Sequence, residues 1–173
     1  MEEIFINIME RIAGGMPELS LIDEDYGQLE MSAEEDRYPV TFPCVLIGNI
    51  DADWRDQGLG NQKGAALITV RLAIDCYDDT SFTSGTYGKV RERRQMDLKL
   101  YNDTSFESGT YDKIKDRRQM DLKLYKTLQR FRSARCATPL VRVKSRDYAL
   151  PGYVKVFETT YAFTINDNSG QSL

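Results

Sequence analysis

Hydrophobic side chains recur at helical spacing near the N-terminus and then give way to an acidic stretch. In residues 2–13 the apolar positions follow an i, i+3, i+4 pattern, formed by Ile4, Phe5, Ile8, Met9 and Ile12. This spacing predicts a short amphipathic helix that opens the domain and ends at Gly14 and Gly15. Residues 17–38 are acidic and show no strong period, so we expect a surface loop or a mobile segment there.

Two apolar stretches with strand-like composition come next. Residues 42–50 are apolar and β-branched, and residues 65–75 alternate. The alternation predicts that Ile68, Val70, Leu72 and Ile74 point inward, and that Thr69, Arg71, Ala73 and Asp75 point outward. The 14 residues 51–64 between them are polar and hold three glycines, which predicts a loop in solvent because the segment is too long for a tight hairpin turn. Trp54 in this segment either folds back onto the core or anchors an interface.

Residues 77–100 are followed at once by a near-identical copy, residues 101–124, which differs at six of the 24 positions. Two copies are too few for a solenoid, because a stacked array needs about three repeats. One continuous helix is disfavoured, since at about 100° per residue a shift of 24 residues rotates the apolar face by about 240°. The apolar stripes of the two copies would then point in different directions. The first stripe contains Tyr87, Val90 and Leu98, and the second contains Tyr111, Ile114 and Leu122. We therefore predict two helices, over about 84–101 and 108–133, joined by a short connection.

A second pair of strands is predicted after the repeat. Residues 138–144 alternate, residues 153–165 are rich in β-branched and aromatic side chains, and Leu150, Pro151 and Gly152 form the turn between them. A break in the alternation at Val154, Val156 and Phe157 indicates a bulge. The predicted fold class is α+β: an antiparallel sheet of about four strands packed against helices, with the duplicated helical segment inserted between the two strand pairs. Residues 1–166 form one domain in this interpretation, and residues 167–173 a disordered tail.

Charge divides the chain into two halves. Residues 1–61 hold 14 acids and three bases, residues 62–150 hold 19 bases and 11 acids, and the whole chain has a net charge of −4. The division indicates either solvated faces of one globule or head-to-tail association, in which an acidic surface meets the basic surface of the next subunit.

The cysteines and the lack of histidine limit the kinds of catalytic and metal site that the chain could form. The chain has no histidine, which removes the usual Ser-His and Cys-His pairs, the commonest zinc ligand and the usual general base near neutral pH. Cys44, Cys76 and Cys136 are far apart and lie in or beside apolar stretches, so we expect buried free thiols rather than a metal or disulfide role. Neither a cofactor nor a metal is expected. The polar N-terminus predicts no secretory signal, and no apolar run predicts a membrane span.

The candidate binding residues are charged. The repeated basic stretches contain Arg93 and Arg94 in the first copy and Arg117 and Arg118 in the second, which could neutralise phosphates. Acidic neighbours at helical spacing favour a solvated, self-paired face instead. Residues 51–64 lack calcium-loop spacing and a dinucleotide fingerprint, so neither kind of site is predicted there.

The order of predicted elements resembles one family. A helix and an acidic loop precede PCVLIGNI, DADWRDQGLGNQKG and ALITVRLAID, and then come MDLKLYKTLQRF, PLVRVKS and VFETTYAFTI. This order is similar to that of the tail-terminator or tail-completion proteins of tailed bacteriophages and prophages, of the minor tail protein U type. The resemblance covers about residues 1–166 apart from the additional repeat copy, which such proteins do not ordinarily carry.

The resemblance implies a structural virion protein without enzyme activity. Its subunits would form a hexameric ring that caps the tail tube and meets the head connector, first in the host cytoplasm and then in the virion tail. By analogy, the 51–64 segment would lie at a subunit or tube contact, which makes Asp53, Trp54, Arg55 and Asp56 candidate interface residues together with the four arginines of the repeat. The alternative is a nucleic-acid-associated or regulatory module that uses the basic repeated helices; direct nucleic-acid binding is not expected in the first interpretation.

Overall fold

The computed structural model describes residues 1–31, 39–76 and 109–167, and the side chains of all of these except residues 109–113. Two helices and six strands make up this part of the chain. They are α1 (Glu2–Gly15), β1 (Leu21–Glu24), β2 (Cys44–Ile47), β3 (Asp51–Gly58), β4 (Asn61–Asp75), α2 (Gly109–Leu128), β5 (Val141–Leu150) and β6 (Val154–Asp167). A 3-10 turn, Pro151–Tyr153, joins β5 to β6.

The six strands form one mixed sheet in the order β1-β2-β4-β6-β5, with β3 also paired to β4. The β1–β2 pair is parallel, whereas β4 pairs antiparallel with β2, β3 and β6, and β6 pairs antiparallel with β5. The fold is α+β, but the predicted sheet of about four antiparallel strands with a duplicated helical insert is wrong. The sheet has six strands and a parallel pair, and of the two predicted repeat helices the structure describes α2 alone, because residues 77–108 lie outside the described part.

One face of the sheet is covered by the two helices. Helix α1 buries Ile4, Ile8 and Ile12, which confirms the predicted amphipathic helix, and its acidic first turn suits the positive end of the helix dipole. These side chains pack against α2 and the inward positions of β4 and β6, and the shared core includes Ile68, Val70, Leu72, Leu124, Leu128, Phe157, Tyr161 and Phe163. The alternation of β4 and β6 therefore predicts this face correctly.

The opposite face of the sheet is also covered over part of its area. Leu29, Cys44, Leu46, Ala73, Val154 and Val156 form a second buried cluster there. Arg71 and Ala73, predicted to point outward to solvent, are thus buried. Residues 17–38, predicted as a loop, contain β1, and the segment after β1 contributes Leu29 to this cluster.

The irregular pattern at the start of β6 reflects burial on both faces. Val154 and Val156 pack in the second cluster while Phe157 packs in the helical core. The predicted bulge at these residues is wrong, since the β4–β6 register is unbroken from Asp75↔Val154 to Gln62↔Asp167. The register shift lies instead in β5, between Arg142 and Lys144.

Residues 51–64 form a β-hairpin, so the loop prediction for this segment is wrong. Strand β3 ends at Gly58 and β4 begins at Asn61, which leaves a two-residue turn. Leu59 and Gly60 have φ of 55° and 75°, the positive values that a type I′ hairpin turn requires. Leucine seldom adopts this conformation, which is why the sequence did not signal a tight turn.

Helix α2 buries a different stripe from the one predicted. Leu124, Thr127 and Leu128 are buried, whereas Ile114 and Leu122 are about half exposed. The predicted stripe containing Ile114 and Leu122 is therefore wrong for the described second copy. Strand β6 ends at Asp167, and the rest of the predicted tail, residues 168–173, lies outside the described residues.

Candidate functional site: the charged edges of the sheet

The predicted interface residues Asp53, Trp54, Arg55 and Asp56 lie together on β3. Every residue of this strand except Ala52 is exposed. The strand carries three aspartates and one arginine, a net charge of −2. Within the described part of the chain, neither Asp51 nor Asp53 forms an ion pair. The hairpin therefore presents an acidic strand to solvent.

Trp54 packs on its own hairpin. It lies opposite Gly64 in the β3–β4 register, and a Cβ atom on Gly64 would approach the indole ring to 3.1 Å. A side chain at this position would crowd the ring, which would have to shift by a few tenths of an ångström. Trp54 is still 38% exposed and belongs to neither buried cluster. Trp54 therefore packs over its own hairpin and remains partly open to solvent.

Strand β5 is the basic counterpart at the other side of the sheet. Residues 141–147 are all exposed, including Val141 and Val143, which are 46% and 56% exposed. The strand carries Arg142, Lys144, Arg146 and Asp147, a net charge of +2. This strand was not predicted as an interface from the sequence, where its one signal is the alternation of valine with basic residues in VRVKSR.

Some of the charges on β5 are engaged within the chain. The Arg146 guanidinium donates two hydrogen bonds to Glu158, at 2.7 and 2.9 Å, and these raise the pKa of Arg146 above its usual range. The Lys155 ammonium, 2.6 Å from Asp147, holds the pKa of that carboxyl below its usual value. Arg142 stacks over the Tyr125 ring at 4.0 Å. Lys144 forms no ion pair within the described part and is the exposed uncompensated cation of the strand.

The repeat arginines contact their own chain where the structure describes them. The guanidinium of Arg117 donates to the Cys76 sulfur at 3.0 Å. Arg118 donates to Asp147 at 3.3 Å and lies 5.2 Å from the Phe157 ring centroid. Their counterparts Arg93 and Arg94 lie outside the described residues. The structure thus does not bring all the predicted residues together: one group is on β3, and the described arginines are on α2 beside β5.

Arg71 is the buried centre of a charged cluster on the loop-covered face of the sheet, in which the Glu30 side chain is 59% exposed. Its guanidinium donates hydrogen bonds to Asp25 and Glu30, and only 8% of Arg71 is exposed. Burial lowers the pKa of Arg71, but the hydrogen bonds to Glu30 and Asp25 outweigh it and leave the pKa above its ordinary value. The cluster ties the segment after β1 to the central strand, which is a structural role.

Ion pairs link acidic residues of the first charge half to basic residues of the second within one subunit. Glu3 accepts from Arg135 at 2.7 Å, Glu18 pairs with Lys123 at 2.7 Å, and Asp25 pairs with Arg71. Part of the acid–base division is therefore neutralised inside one globule, as the first interpretation of the charge pattern expects. The aspartates of β3 and Lys144 are not neutralised in this way.

Tyr161 and two of the three cysteines are buried inside the fold, whereas Asp121 and Cys76, the latter predicted to be buried, are partly exposed. The Tyr161 hydroxyl is buried without a hydrogen-bond partner in the described part, and burial raises the pKa of Tyr161. Burial likewise raises the pKa of Asp121, although the nearby Arg118 and Arg142 oppose the shift. Cys44 and Cys136 are buried thiols, as predicted, and burial raises the pKa of Cys44 to about 11. At that pKa Cys44 is protonated near neutral pH and is a poor nucleophile.

One open surface depression lies beside the end of β6. It has a volume of about 490 Å³ and is lined by Arg132, Ala134, Arg135, Cys136, Ala137, Asn166 and Asp167. Its arginines are already engaged, since Arg132 donates to the Cys136 carbonyl and Arg135 donates to Glu3. Among the described side chains, no group of three or more acidic or cysteine residues is placed to hold a metal ion. No helix in residues 1–31, 39–76 or 109–167 is long and apolar enough to cross a membrane.

Comparison with models of known protein families gives no match, and comparison with curated proteins finds no significant relative.

Proposed function

We propose that this protein is a structural subunit of a bacteriophage or prophage tail, of the tail-terminator type, that acts by assembling into a ring. The resemblance in element order supports the proposal. The helices and strands on which the resemblance rests, now α1, β2, β4, α2, β5 and β6, occur in the same order in the described chain, although β1 and β3 take the place of predicted loops.

The observation that carries the proposal is the placement of charge on the sheet. An exposed acidic strand, β3, borders one side, and an exposed basic strand, β5, borders the other. A subunit with complementary charges on different sides is suited to head-to-tail contacts, and such contacts produce a closed ring when the rotation between copies closes. The resemblance implies six subunits per ring, with the tail tube and the head connector as partners.

Sedimentation velocity and negative-stain electron microscopy of the purified chain test the proposal. We expect a discrete ring-shaped oligomer whose sedimentation is unchanged by added duplex DNA at moderate salt. A persistent monomer that binds DNA would instead support a nucleic-acid-associated module. The neighbouring genes provide an independent test, because the proposal expects them to encode head and tail morphogenesis proteins.

A further inference from the structure

The sheet has two long outer edges that pair with no other strand in the described part of the chain. Strand β3 pairs with β4 on one side only, over eight residues, and β5 pairs with β6 on one side only, over ten. Almost all of β3 and residues 141–147 of β5 are exposed. On β5 the Arg142 N–H already donates to the Gln129 side chain at 3.0 Å. Elsewhere an open edge offers a row of backbone N–H and C=O groups, which is a template for pairing with another strand.

The directions of the strands favour pairing between unlike edges. Along β3-β4-β6-β5 each neighbour is antiparallel to the last, so β3 and β5 run in opposite directions. When a second copy is placed beside the first in the same orientation, its β3 runs antiparallel to β5 of the first copy. Successive subunits of a ring whose strands are tilted from the ring axis keep this relative direction, and the pairing repeats at every contact.

The charges on the edges favour the same pairing and oppose the others. Two β3 edges would bring net charges of −2 together, and two β5 edges would bring net charges of +2 together. Like charges directly opposite on adjacent strands are destabilising, whereas opposite charges stabilise the pair. The pair of β3 with β5 is the combination in which Asp51 and Asp53 face a strand with Arg142 and Lys144.

We propose that β3 of one copy pairs antiparallel with β5 of the next copy, so that the sheets of neighbouring subunits become continuous. This inference rests on the proposed ring and names its contact. Strand β3 pairs with residues 61–67 of β4, whereas β5 lies, across β6, opposite residues 67–75 of β4. The two edges therefore lie at different heights along the sheet, and each copy must be displaced along the strand direction for its β3 to meet β5 of the neighbour. Strand tilt and stagger of this kind accompany the closing of sheets into barrels.

Charge-reversal variants of the two edges test the pairing. The first variant, Asp51→Lys with Asp53→Lys, changes the net charge of β3 from −2 to +2. The second, Arg142→Glu with Lys144→Glu, changes that of β5 from +2 to −2. Each variant alone has two edges of the same sign, so we expect its dissociation constant for self-association to rise on the order of 100-fold. The control for the first variant, Glu2→Lys with Glu10→Lys, makes the same change of +4 in net charge on exposed positions of α1 and should assemble normally.

An equimolar mixture of the two variants provides the decisive test of the pairing between β3 and β5. The basic β5 of the first variant can pair with the acidic β3 of the second variant, and the acidic β5 of the second with the basic β3 of the first. We expect the mixture to regain the oligomer by sedimentation velocity, with the variants alternating. Regained assembly also shows that both variants are folded, and circular dichroism of each variant alone provides an independent check.

The outcomes separate this inference from the proposed function. A wild-type ring that is lost in both variants and regained in the mixture supports the pairing. A wild-type ring that persists in both variants, or a mixture of folded variants that does not assemble, overturns the pairing but leaves the ring. A wild-type monomer at high concentration overturns both.

Discussion

The central strands of the sheet and its two outer strands β3 and β5 have opposite relations to solvent. In β4 and β6, side chains are buried on the helical face along most of each strand and on the second face where the segment after β1 covers it. In β3 and β5, side chains are exposed on both faces over most of their length. The centre therefore carries the stability of the subunit, while the edges are free to carry an intermolecular contact at little cost to folding.

Truncating a central side chain should have the largest effect on folding. Leu72 is fully buried in β4, so Leu72→Ala removes apolar burial and leaves a cavity. We expect the free energy of unfolding to fall by about 2–5 kcal/mol in urea denaturation. The matched control is Leu67→Ala on the same strand, where the side chain is 44% exposed and the change should stay within about 0.5 kcal/mol. An equal loss in the free energy of unfolding for the two variants would contradict the claim that buried central side chains stabilise the subunit more than exposed ones.

Removing the buried cation of β4 should have the next largest effect. Arg71→Ala leaves Asp25, whose side chain is 11% exposed, without its partner. Breaking a buried pair from one side is strongly destabilising, and we expect a loss of about 3 kcal/mol in the free energy of unfolding. Arg71→Lys keeps the charge but not the forked geometry, so its loss should be smaller. A loss below that of exposed-residue variants would show that the cluster does not secure the second face.

Removing the hydroxyl of Tyr161 should raise the free energy of unfolding rather than lower it. The Tyr161 hydroxyl is buried in the core without a hydrogen bond in the described part of the chain. Because an unsatisfied buried polar group is costly, Tyr161→Phe should raise the free energy of unfolding by about 1 kcal/mol. Tyr125→Phe, which alters a half-buried ring, serves as the control and should change stability by less than about 0.5 kcal/mol. Destabilisation in Tyr161→Phe would reveal a partner for the hydroxyl.

The exposed ion pair between Glu18 and Lys123 should have the smallest effect. A double-mutant cycle with alanine at both positions should give a coupling energy below about 1 kcal/mol that decreases further with salt. The hydrogen bond from Lys123 lowers the pKa of Glu18 from 4.5. The pair therefore contributes above the pKa of the unfolded state, and its contribution is lost as the pH falls through the lowered value. A coupling that persists at pH 2 would contradict this assignment.

Periodicity in the sequence predicted the elements that bury one continuous face. The spacing of Ile4, Ile8 and Ile12 predicted α1, and the alternation through Ile68, Val70 and Leu72 predicted β4, because a single apolar stripe must meet the core. Such patterns can be recognised within one segment, because all their apolar side chains pack on the helix-covered face of the sheet.

Pairings between distant segments could not be predicted in this way. Strand β1 is only four residues long and half acidic, and it exists because Leu21–Glu24 pairs parallel with β2. Arg71 was predicted outward because nothing near it in sequence shows that Asp25 and Glu30 cover it. The hairpin was missed because Leu59 occupies a left-handed conformation that leucine disfavours.

The predicted interface residues lie in separate parts of the structure, and their role in an interface stays a prediction. The sequence pointed to Asp53, Trp54, Arg55 and Asp56, and the structure places them on one exposed strand. It did not point to β5, because an edge strand becomes visible only when the sheet order is known. The complementary relation between β3 and β5 is a property of the topology rather than of either segment.

Hydrogen exchange at two protein concentrations tests assembly through the sheet edges most directly. Under dilute conditions the outward amides of β3 and β5 should exchange rapidly, whereas amides of β4 and β6 should be protected throughout. On assembly, protection should rise specifically in residues 51–58 and 141–150, with little change in the centre. An assembled particle in which both edges exchange as fast as in the monomer would contradict the account.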